Sequence, residues 1–394
     1  MKIPRSNSWG ISVKLVFLLC FHITSVQCQS WVHKNSSSDP RASPQFKNRF
    51  ERIMLSILLG ILTGLVSALL FACLVRCFIR YISKPPILNG PVVFSPKIIP
   101  KSLQAALANE PELLSSSSNG KYYKAVLDNG LTVAVKLLET FESGGSPKIQ
   151  QRKSVKRKVQ RELELLAGLR HRNLMSLRAY VRESNRIFLV YDYFPSGSLE
   201  DVLRRVRENE LNLKWEARLR IAVGIVKALQ YLHLSCNPRF LHYNLKPSNV
   251  MLDGECEPRL ADCGLAKIIP SFERVASIYS PPETNQISSR YTDKSDIFSF
   301  GVILAVLLTG RNPMDPFFND ASTGGSLGRW LHRLQEAGSA REALDPRILG
   351  EDMDEEEDEM LMAVKIAVVC LSDLPTDRPS SDELVSMLTQ LNSF

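Results

Sequence analysis

Hydrophobic residues follow two patterns in this chain: long unbroken runs before residue 80 and short periodic runs after residue 100. The longest run, Ile53 to Val75, holds 23 residues without a charged side chain. A helix rises about 1.5 Å per residue, so this run is long enough to cross a bilayer with some tilt. The pattern predicts a single transmembrane helix at residues 53–75.

A shorter apolar stretch lies nearer the N-terminus, from Leu15 to Val26, and basic residues precede it. A basic start followed by an apolar run of this length is typical of a secretory signal peptide. We therefore interpret residues 1–28 as a signal peptide and residues 29–52 as a short extracellular stub. This arrangement predicts a single-pass type I membrane protein whose C-terminal part is cytosolic.

Small residues recur every four positions within the predicted span, at Ser56, Gly60, Gly64 and Ala68. This spacing puts them on one face of the helix, where small side chains let a partner helix approach closely. The alternative is that small residues are simply common in membrane helices. We predict that this face pairs with the transmembrane helix of a partner protein.

Strand-like runs mark the first part of the globular region. Lys121 to Val126 and Leu131 to Leu137 are joined by Asp128-Asn129-Gly130. Because these three residues favour a tight turn, the two runs are predicted to form a β-hairpin. A further strand is predicted from Ile187 to Tyr193.

Helical periodicity takes over after residue 199. The helical runs are Ala217 to His233, Asp296 to Leu308, Met360 to Leu371 and Glu383 to Leu391. A small β-rich part followed by a larger helical part predicts an α+β architecture with a cleft between the two. We assign residues 76–104 to a juxtamembrane segment and residues 105–391 to this domain.

Charge is unevenly distributed in the 394 residues, whose formal net charge is +8. Basic residues flank the apolar span and form one run between Ser143 and Glu162, without the interleaved aromatic residues of a nucleic-acid interface. We therefore exclude nucleic acid as a partner and interpret the basic run as a solvated helix face, with attraction to acidic lipid headgroups as the alternative. The acidic run from Glu351 to Glu359 is predicted to be an exposed loop.

Short motifs carry the candidate chemistry. They are Val133-Ala-Val-Lys136, Glu162, His242-Tyr-Asn-Leu-Lys-Pro-Ser-Asn249, Asp262-Cys-Gly264, Pro281-Pro-Glu283, Asp296 and Asp377-Arg-Pro379. Their order and spacing resemble those of a protein kinase, and the surrounding sequence is similar to the plant receptor-like kinase family. The resemblance implies a bilobal protein-kinase-like fold, with a small β-rich N-lobe and a large helical C-lobe, preceded by the single transmembrane helix.

In kinases of this pattern, four positions hold the nucleotide and its metal ions. The resemblance carries these roles to Lys136, Glu162, Asn249 and Asp262. It therefore implies a residual nucleotide and magnesium site. We assign no residue as a metal ligand, and we expect weak ATP and magnesium binding at most, with no cofactor required.

The catalytic loop departs from the family pattern at its centre, because Asn244 occupies the position of the proton-accepting aspartate. An amide lacks a basic site of carboxylate strength, although it can still hydrogen-bond a hydroxyl. Loss of a general base typically costs about 10² to 10⁴ in rate. Asn244 alone therefore leaves room for slow phosphoryl transfer.

The glycine-rich flap is more strongly altered. Ser115 and Ser117 align with its first two glycines, and only Gly120 is retained. Glycine is used in such flaps because the backbone must approach the phosphates closely. Tyr122 also replaces the small branched residue that covers the adenine ring, so we predict a site that is poorly suited to nucleotide.

Two further substitutions affect regulation and packing. Tyr243 replaces the arginine that would pair with a phosphorylated activation segment, and Cys263 replaces the phenylalanine of the metal-binding motif. We interpret Cys263 as a buried structural cysteine. By contrast, Glu283, Arg378 and Asp296 match the residues that hold the larger lobe together. The scaffold is thus retained while the chemistry is impaired.

The resemblance implies a pseudokinase that relays or scaffolds a peptide-hormone signal of the CLE/CLAVATA type in meristem maintenance. Its implied partner is a leucine-rich-repeat receptor-like protein without a kinase domain, bound through the transmembrane helix, and active receptor kinases are further partners. The implied location is the plasma membrane, with the endoplasmic reticulum as the location until the partner is present. The alternatives are a slow Ser/Thr kinase and a nucleotide-binding conformational switch.

Overall fold

A computed structural model describes residues 45–82, 90–109, 111–117, 120–139, 149–183, 186–268, 277–284, 291–320, 325–349 and 354–391. The predicted signal peptide and most of the predicted stub lie outside the described residues. The chain divides into two compact units, Met1–Lys84 and Pro85–Phe394. Each unit is described by itself.

The first unit contains one long helix, α1 (Gln45–Ile82). Within it, Ile53–Ile79 is long and apolar enough to cross a membrane, and its side chains are exposed. The expectation of an apolar helix compatible with one membrane span is therefore supported. The small residues at Gly60 and Gly64 leave open space, since a Cβ added at either meets no atom within 4 Å.

The second unit begins with a six-stranded antiparallel sheet in the order β1-β5-β6-β4-β3-β2. The strands are β1 (Gly90–Val93), β2 (Glu112–Ser117), β3 (Gly120–Val126), β4 (Thr132–Glu139), β5 (Ala179–Glu183) and β6 (Arg186–Asp192). The predicted hairpin is confirmed, because β3 pairs with β4 around the turn that contains Gly130, whose φ is +77°.

Two helices accompany this sheet, α2 (Pro100–Ala108) and α3 (Ile149–Gly168). Leu103 of α2 is fully buried in a core cluster with Val133 and Val135 of β4. The compact unit therefore starts before residue 105. Residues 90–104, which the sequence assigned to the juxtamembrane segment, belong to it because β1 pairs with β5 and α2 buries Leu103 in the core.

The larger, C-terminal part of the unit is helical and carries one small two-stranded sheet. Its elements are α4 (Leu199–Arg207), α5 (Trp215–Gln230), β7 (Val250–Leu252), β8 (Pro258–Leu260), α6 (Leu265–Ile268), α7 (Asp293–Thr309), α8 (Leu327–Glu336), α9 (Asp354–Cys370) and α10 (Ser381–Gln390). The four helices predicted after residue 199 are confirmed as α5, α7, α9 and α10. Helix α7 is buried along almost its whole length and packs against α9, which explains its nearly continuous apolar sequence.

The acidic run was expected to be a loop, but its second half forms the start of α9 at Asp354. Glu359 accepts a hydrogen bond from Trp215 Nε1 at 2.9 Å, and Glu357 pairs with Arg341 at 2.9 Å. Carboxylates are stabilising near a helix N-terminus because they face the positive end of its dipole. The expectation of a loop is therefore wrong for residues 354–359.

One close contact in the helical part gives a test of the packing. A Cβ added at Gly224 of α5 would lie 2.4 Å from Pro258 Cγ and 2.9 Å from Asn173 Nδ2. The proline ring cannot turn away, so we expect Gly224→Ala to lower the free energy of unfolding by roughly 1–3 kcal/mol. Thermal unfolding of the full chain in detergent micelles measures the loss.

Gly168→Ala is the matched control, because a Cβ at that helical position meets no atom within 4 Å. There the better helix propensity of alanine should leave stability unchanged or slightly raised. Equal melting temperatures for the two variants would contradict the packing described for α5 and β8.

Candidate functional site

Three side chains form a closed cluster in the second unit. Lys136 Nζ makes an ion pair with Asp262 Oδ2, and the exposed fractions of the two side chains are only 0% and 1%. The Tyr122 hydroxyl donates a hydrogen bond to the same carboxylate oxygen at 2.9 Å. Lys136 Nζ also lies 2.9 Å from the Tyr122 hydroxyl oxygen and 4.8 Å from the centre of its ring. The lysine and the aspartate are thus joined both directly and through the phenol.

The backbone explains why these residues meet. Tyr122 and Lys136 are directly opposite each other in the β3–β4 ladder, so their side chains share one face of the sheet. Asp262 follows β8 with φ of 63°, a left-handed conformation that is uncommon outside glycine. Hydrogen bonds on both sides hold it there, from Ala261 N to Asn249 O at 2.8 Å and from Leu265 N to Asp262 O at 3.2 Å.

Burial sets the protonation of this cluster. Loss of solvent raises the pKa of Tyr122 well above its ordinary value, and the Asp262 charge adds to the rise. The phenol therefore stays neutral and acts as a hydrogen-bond donor to the Asp262 carboxylate. Burial also lowers the pKa of Lys136, while the Asp262 charge opposes this change and Lys246 reinforces it. The cluster depends on the Lys136 charge being balanced within the site.

The hairpin of β2 and β3, which corresponds to the glycine-rich flap, packs tightly against β4. Strands β2 and β3 pair as far as Ser117 and Gly120. Gly120 has φ of +127°, and a Cβ there would lie 2.6 Å from Leu137 O. Glycine is thus required because the hairpin lies on β4.

Lys136 and Tyr122 both engage one oxygen of the Asp262 carboxylate, Oδ2, whereas the other, Oδ1, is buried and has no hydrogen-bond partner within the described residues. The charges of Lys136 and Asp262, which the family pattern assigns to phosphate and metal, are directed at each other and at the Tyr122 hydroxyl. In this arrangement a nucleotide would have to displace the phenol and separate a buried ion pair, which carries a free-energy cost.

The catalytic loop is held in shape by its own amides. Asn249 Nδ2 donates to Asn244 O at 2.7 Å, and Asn244 N lies 3.4 Å from His242 Nδ1. Asn244 Nδ2 is buried, and within the described part of the chain it has no acceptor. Asn249 therefore supports the loop backbone, whereas Asn244 is a neutral amide at the position of a proton acceptor.

Asp296 at the start of α7 organises the preceding loop. Its carboxylate accepts hydrogen bonds from His242 N at 2.8 Å, Tyr243 N at 3.1 Å, and the Tyr291 hydroxyl, and lies 2.9 Å from His233 Nε2. Burial alone would raise the Asp296 pKa, but these partners, His233 first among them, hold it below its ordinary value. Asp296 is thus a buried carboxylate whose charge fixes the loop.

Tyr243 replaces a charged contact with an aromatic one. Its φ is 66°, and its ring stacks on Tyr291 with the ring centres 4.8 Å apart. The substitution therefore removes a guanidinium from this position but keeps the loop packed. Cys263 is also buried, and burial raises its thiol pKa well above the ordinary value, as expected of an unreactive structural cysteine.

A second ion pair anchors the segment that contains residues 277–284. Arg378 donates to both carboxylate oxygens of Glu283, at 2.7 and 2.9 Å, and also to Ser372 O at 2.9 Å. Ser295 Oγ lies 3.1 Å from the Glu283 carboxylate. This fork geometry joins the segment to α7 and to the start of the last helical region.

Glu162, on α3, lines a cavity of about 490 Å³ together with Tyr243 and Gly264. The structure thus brings Lys136 and Asp262 together, places Asn249 against the backbone of Asn244, and places Glu162 in the wall of this cavity. The sequence did not predict the bond between Tyr122 and Asp262. A hairpin centred on Asn129 would have placed Tyr122 opposite Lys136, and this signal was present in the turn sequence.

The Glu283–Arg378 pair gives a stability test with a definite pH dependence. Burial would raise the Glu283 pKa, but hydrogen bonds from Arg378 hold it below the ordinary 4.5. A lowered carboxylate pKa contributes stability above pH 4.5, and this stability is lost as pH falls through the folded-state pKa. Glu283→Gln should therefore lower the melting temperature at pH 7 and show a smaller loss of stability on acidification than the parent chain.

Glu112→Gln is the matched control, since it removes an exposed pair with Lys124. That change should alter stability by less than about 1 kcal/mol, against roughly 2 kcal/mol or more for Glu283→Gln. Melting curves of the full chain between pH 3 and pH 7 provide the comparison. Indistinguishable effects of the two substitutions would refute the anchoring role.

Comparison with known proteins agrees with this geometry. Residues 110–388 match the protein kinase domain family. The Arabidopsis thaliana protein named inactive leucine-rich repeat receptor-like protein kinase CORYNE is 68% identical over 315 residues, which cover 80% of this chain and 78% of that protein. The Arabidopsis kinase SOBIR1 is 37% identical over 327 residues, which cover 78% of this chain and 50% of that protein.

A solved structure shows the same fold. The pseudokinase domain of BIR2, an immune regulator of the RLK/Pelle family, is 28% identical with a TM-score of 0.61, and the match covers 80% of this chain and 92% of that one. The resemblance seen in the sequence motifs is thereby confirmed. The chain belongs to the protein kinase family, and within it is a catalytically impaired receptor-like pseudokinase similar to CORYNE.

Proposed function

We propose that this pseudokinase relays a peptide-hormone signal of the CLE/CLAVATA type at the plasma membrane through protein contacts, without phosphoryl transfer, in meristem maintenance. The observation that carries the proposal is the Tyr122–Lys136–Asp262 cluster. It commits the two charges of the nucleotide site to each other inside the protein. The folded domain is then available as a binding surface.

The retained scaffold supports this proposal. Asp296, with its bonds to the catalytic loop, and Arg378, with its fork on Glu283, keep the larger lobe and its loops in a defined shape. Asn249 likewise supports the loop backbone. A protein that signals by contact needs such a fixed shape, whereas it does not need a general base at Asn244.

The proposed partner is a leucine-rich-repeat receptor-like protein that lacks a kinase domain. The relatives named above are leucine-rich-repeat receptor kinases, which supports a partner of this class. In our proposal the small-residue face of α1 provides the contact within the membrane. Active receptor kinases then join the complex, and the chain stays in the endoplasmic reticulum until its partner is present.

The two alternatives each require the cluster to open. A slow Ser/Thr kinase would need Asp262 for metal and Asn244 for positioning, and a nucleotide-binding switch would need Lys136 for phosphate. Both require Tyr122 to leave Asp262 and Lys136 to leave its buried partner. The cluster therefore favours contact-based relay without nucleotide over either alternative.

The membrane contact has a direct test. Replacing Gly60 and Gly64 together by isoleucine adds bulk on the proposed pairing face without adding charge. We expect at least a tenfold loss of co-purification with a co-expressed leucine-rich-repeat receptor-like protein, because close helix approach is blocked. Quantitative co-purification from detergent-solubilised membranes measures the loss.

The control places bulk on the opposite face of the same helix, by changing Leu62 and Val66 to phenylalanine. This variant keeps the span apolar and should retain the partner. Equal retention by both variants would refute the proposed pairing face. Loss of the partner in both variants would contradict a face-specific contact.

The nucleotide claim is tested by opening the cluster. Millimolar ATP with magnesium should not change the melting temperature of the parent chain in detergent. Tyr122→Val removes the phenol and should permit binding, with a stabilisation of about 1.4 kcal/mol where ATP is present at about ten times its Kd. Thermal unfolding with and without nucleotide measures the difference.

Tyr123→Val is the matched control, because Tyr123 is paired with Val135 and packs in the core cluster on the other side of β3. This variant loses a neighbouring tyrosine but keeps the cluster, so nucleotide should leave its melting temperature unchanged. A clear stabilisation of the parent chain by ATP would contradict the proposal that the site works without nucleotide.

A further inference from the structure

The cavity next to α3 is strongly basic. Four cationic side chains line it: Arg157, Lys158 and Arg161 from α3, and Arg239 from the segment before the catalytic loop. Glu162 is the one carboxylate among the described lining residues. The volume of about 490 Å³ is within the range of small-ligand sites. The cavity is thus large enough for a substantial anionic group.

The α3 cations are not neutralised by the described part of the protein. No ion pair joins Arg157, Lys158 or Arg161 to a carboxylate among the described residues. Arg157 Nε is buried and has no acceptor there, although a buried guanidinium group normally donates to one. Arg239, in contrast, pairs with Asp293 at 2.6 Å. The α3 wall therefore holds a buried donor without an acceptor, Arg157 Nε, beside the solvent-exposed cations Lys158 and Arg161.

The charges that line the cavity favour anions with more than one negative charge. Several cations converging on one space suit a group with more than one negative charge, and a phosphomonoester carries about −1.5 to −2 at neutral pH with three acceptor oxygens. Guanidinium groups match phosphate oxygens in a two-bond fork. The cavity therefore suits a phosphate group better than a single carboxylate.

The shape selects a peptide over a bilayer surface. Leu165, Pro238 and Phe240 give the cavity apolar walls beside its charges, and apolar walls can bury the carbon atoms of a peptide side chain. A membrane surface would meet exposed cations on a convex face and would not enter a recess. Peptide segments with one phosphorylated residue combine the two chemistries that the cavity offers.

We propose that this cavity is a docking site for a phosphorylated peptide segment of a partner protein. The inference rests on the proposed relay, because a contact-based relay beside active kinases would meet such segments on its partners. Bound phosphate would link α3 to the segment that leads into the catalytic loop. The chain would then recognise phosphorylation that it does not itself carry out.

Binding is tested with the full chain in phosphatidylcholine nanodiscs and two fluorescent pools of random heptapeptides, one centred on phosphoserine and one on serine. We expect the phosphoserine pool to bind at least tenfold more tightly, and inorganic phosphate to compete. Arg157→Gln should weaken binding of the phosphoserine pool by about tenfold, as expected from the loss of one charge-assisted hydrogen bond. Fluorescence anisotropy measures both values.

Lys156→Gln is the matched control, since Lys156 is adjacent, exposed and absent from the cavity lining. The affinity of this variant for the phosphoserine pool should stay within twofold of that of the parent chain. An equal loss in both variants, or equal binding of the two pools, would overturn the inference. Displacement of the peptide by nanodiscs containing phosphatidylserine would assign the site to lipid headgroups instead, and a gain of binding after phosphatase treatment of the chain would assign it to the chain's own phosphate.

The outcome is separable from that of the relay itself. A chain that keeps its leucine-rich-repeat partner but shows no Arg157-dependent binding of phosphopeptide would overturn this inference and leave the relay intact. Loss of the partner with Arg157-dependent binding retained would overturn the relay and leave this inference intact.

Discussion

The cleft depends on one buried interaction, the ion pair between Lys136 and Asp262 that Tyr122 completes. Two opposite charges removed from water are costly unless each is balanced nearby. In an enzyme of this fold, phosphate and metal ions supply much of that balance. Here the side chains balance each other, and the phenol fills the place between them. The two charged side chains are thereby tied to each other and to the phenol in the folded protein.

The rest of the larger lobe is organised to keep its shape in the absence of catalysis. Asp296 holds the catalytic loop by its backbone, so the side chains of that loop can change without loss of the loop itself. This explains how an asparagine at position 244 and a tyrosine at position 243 are accommodated. The Glu283–Arg378 pair does the same for residues 277–284, since its fork does not depend on a phosphate group.

Although position 243 carries a tyrosine instead of an arginine, the region around it is still positively charged. Tyr243 borders the cavity that Arg157, Lys158 and Arg161 line, so the cations lie on helix α3 instead of the catalytic loop. An anion bound there would contact α3 and the segment before the loop together. The loss of that regulatory arginine thus leaves cationic side chains of α3 beside the catalytic loop.

The sequence by itself determined the apolar helix, the β3–β4 hairpin, the four long helices and the altered kinase motifs. These features depend on local periodicity, turn residues or the identity of single positions, so a linear pattern is sufficient to find them. Only the tertiary structure decided that Tyr122 bonds to Asp262, 140 residues away, and that cations of α3 meet Tyr243 in one cavity. It also moved residues 90–104 into the folded unit and made residues 354–359 helical. Those outcomes depend on contacts between distant segments, which no local pattern records.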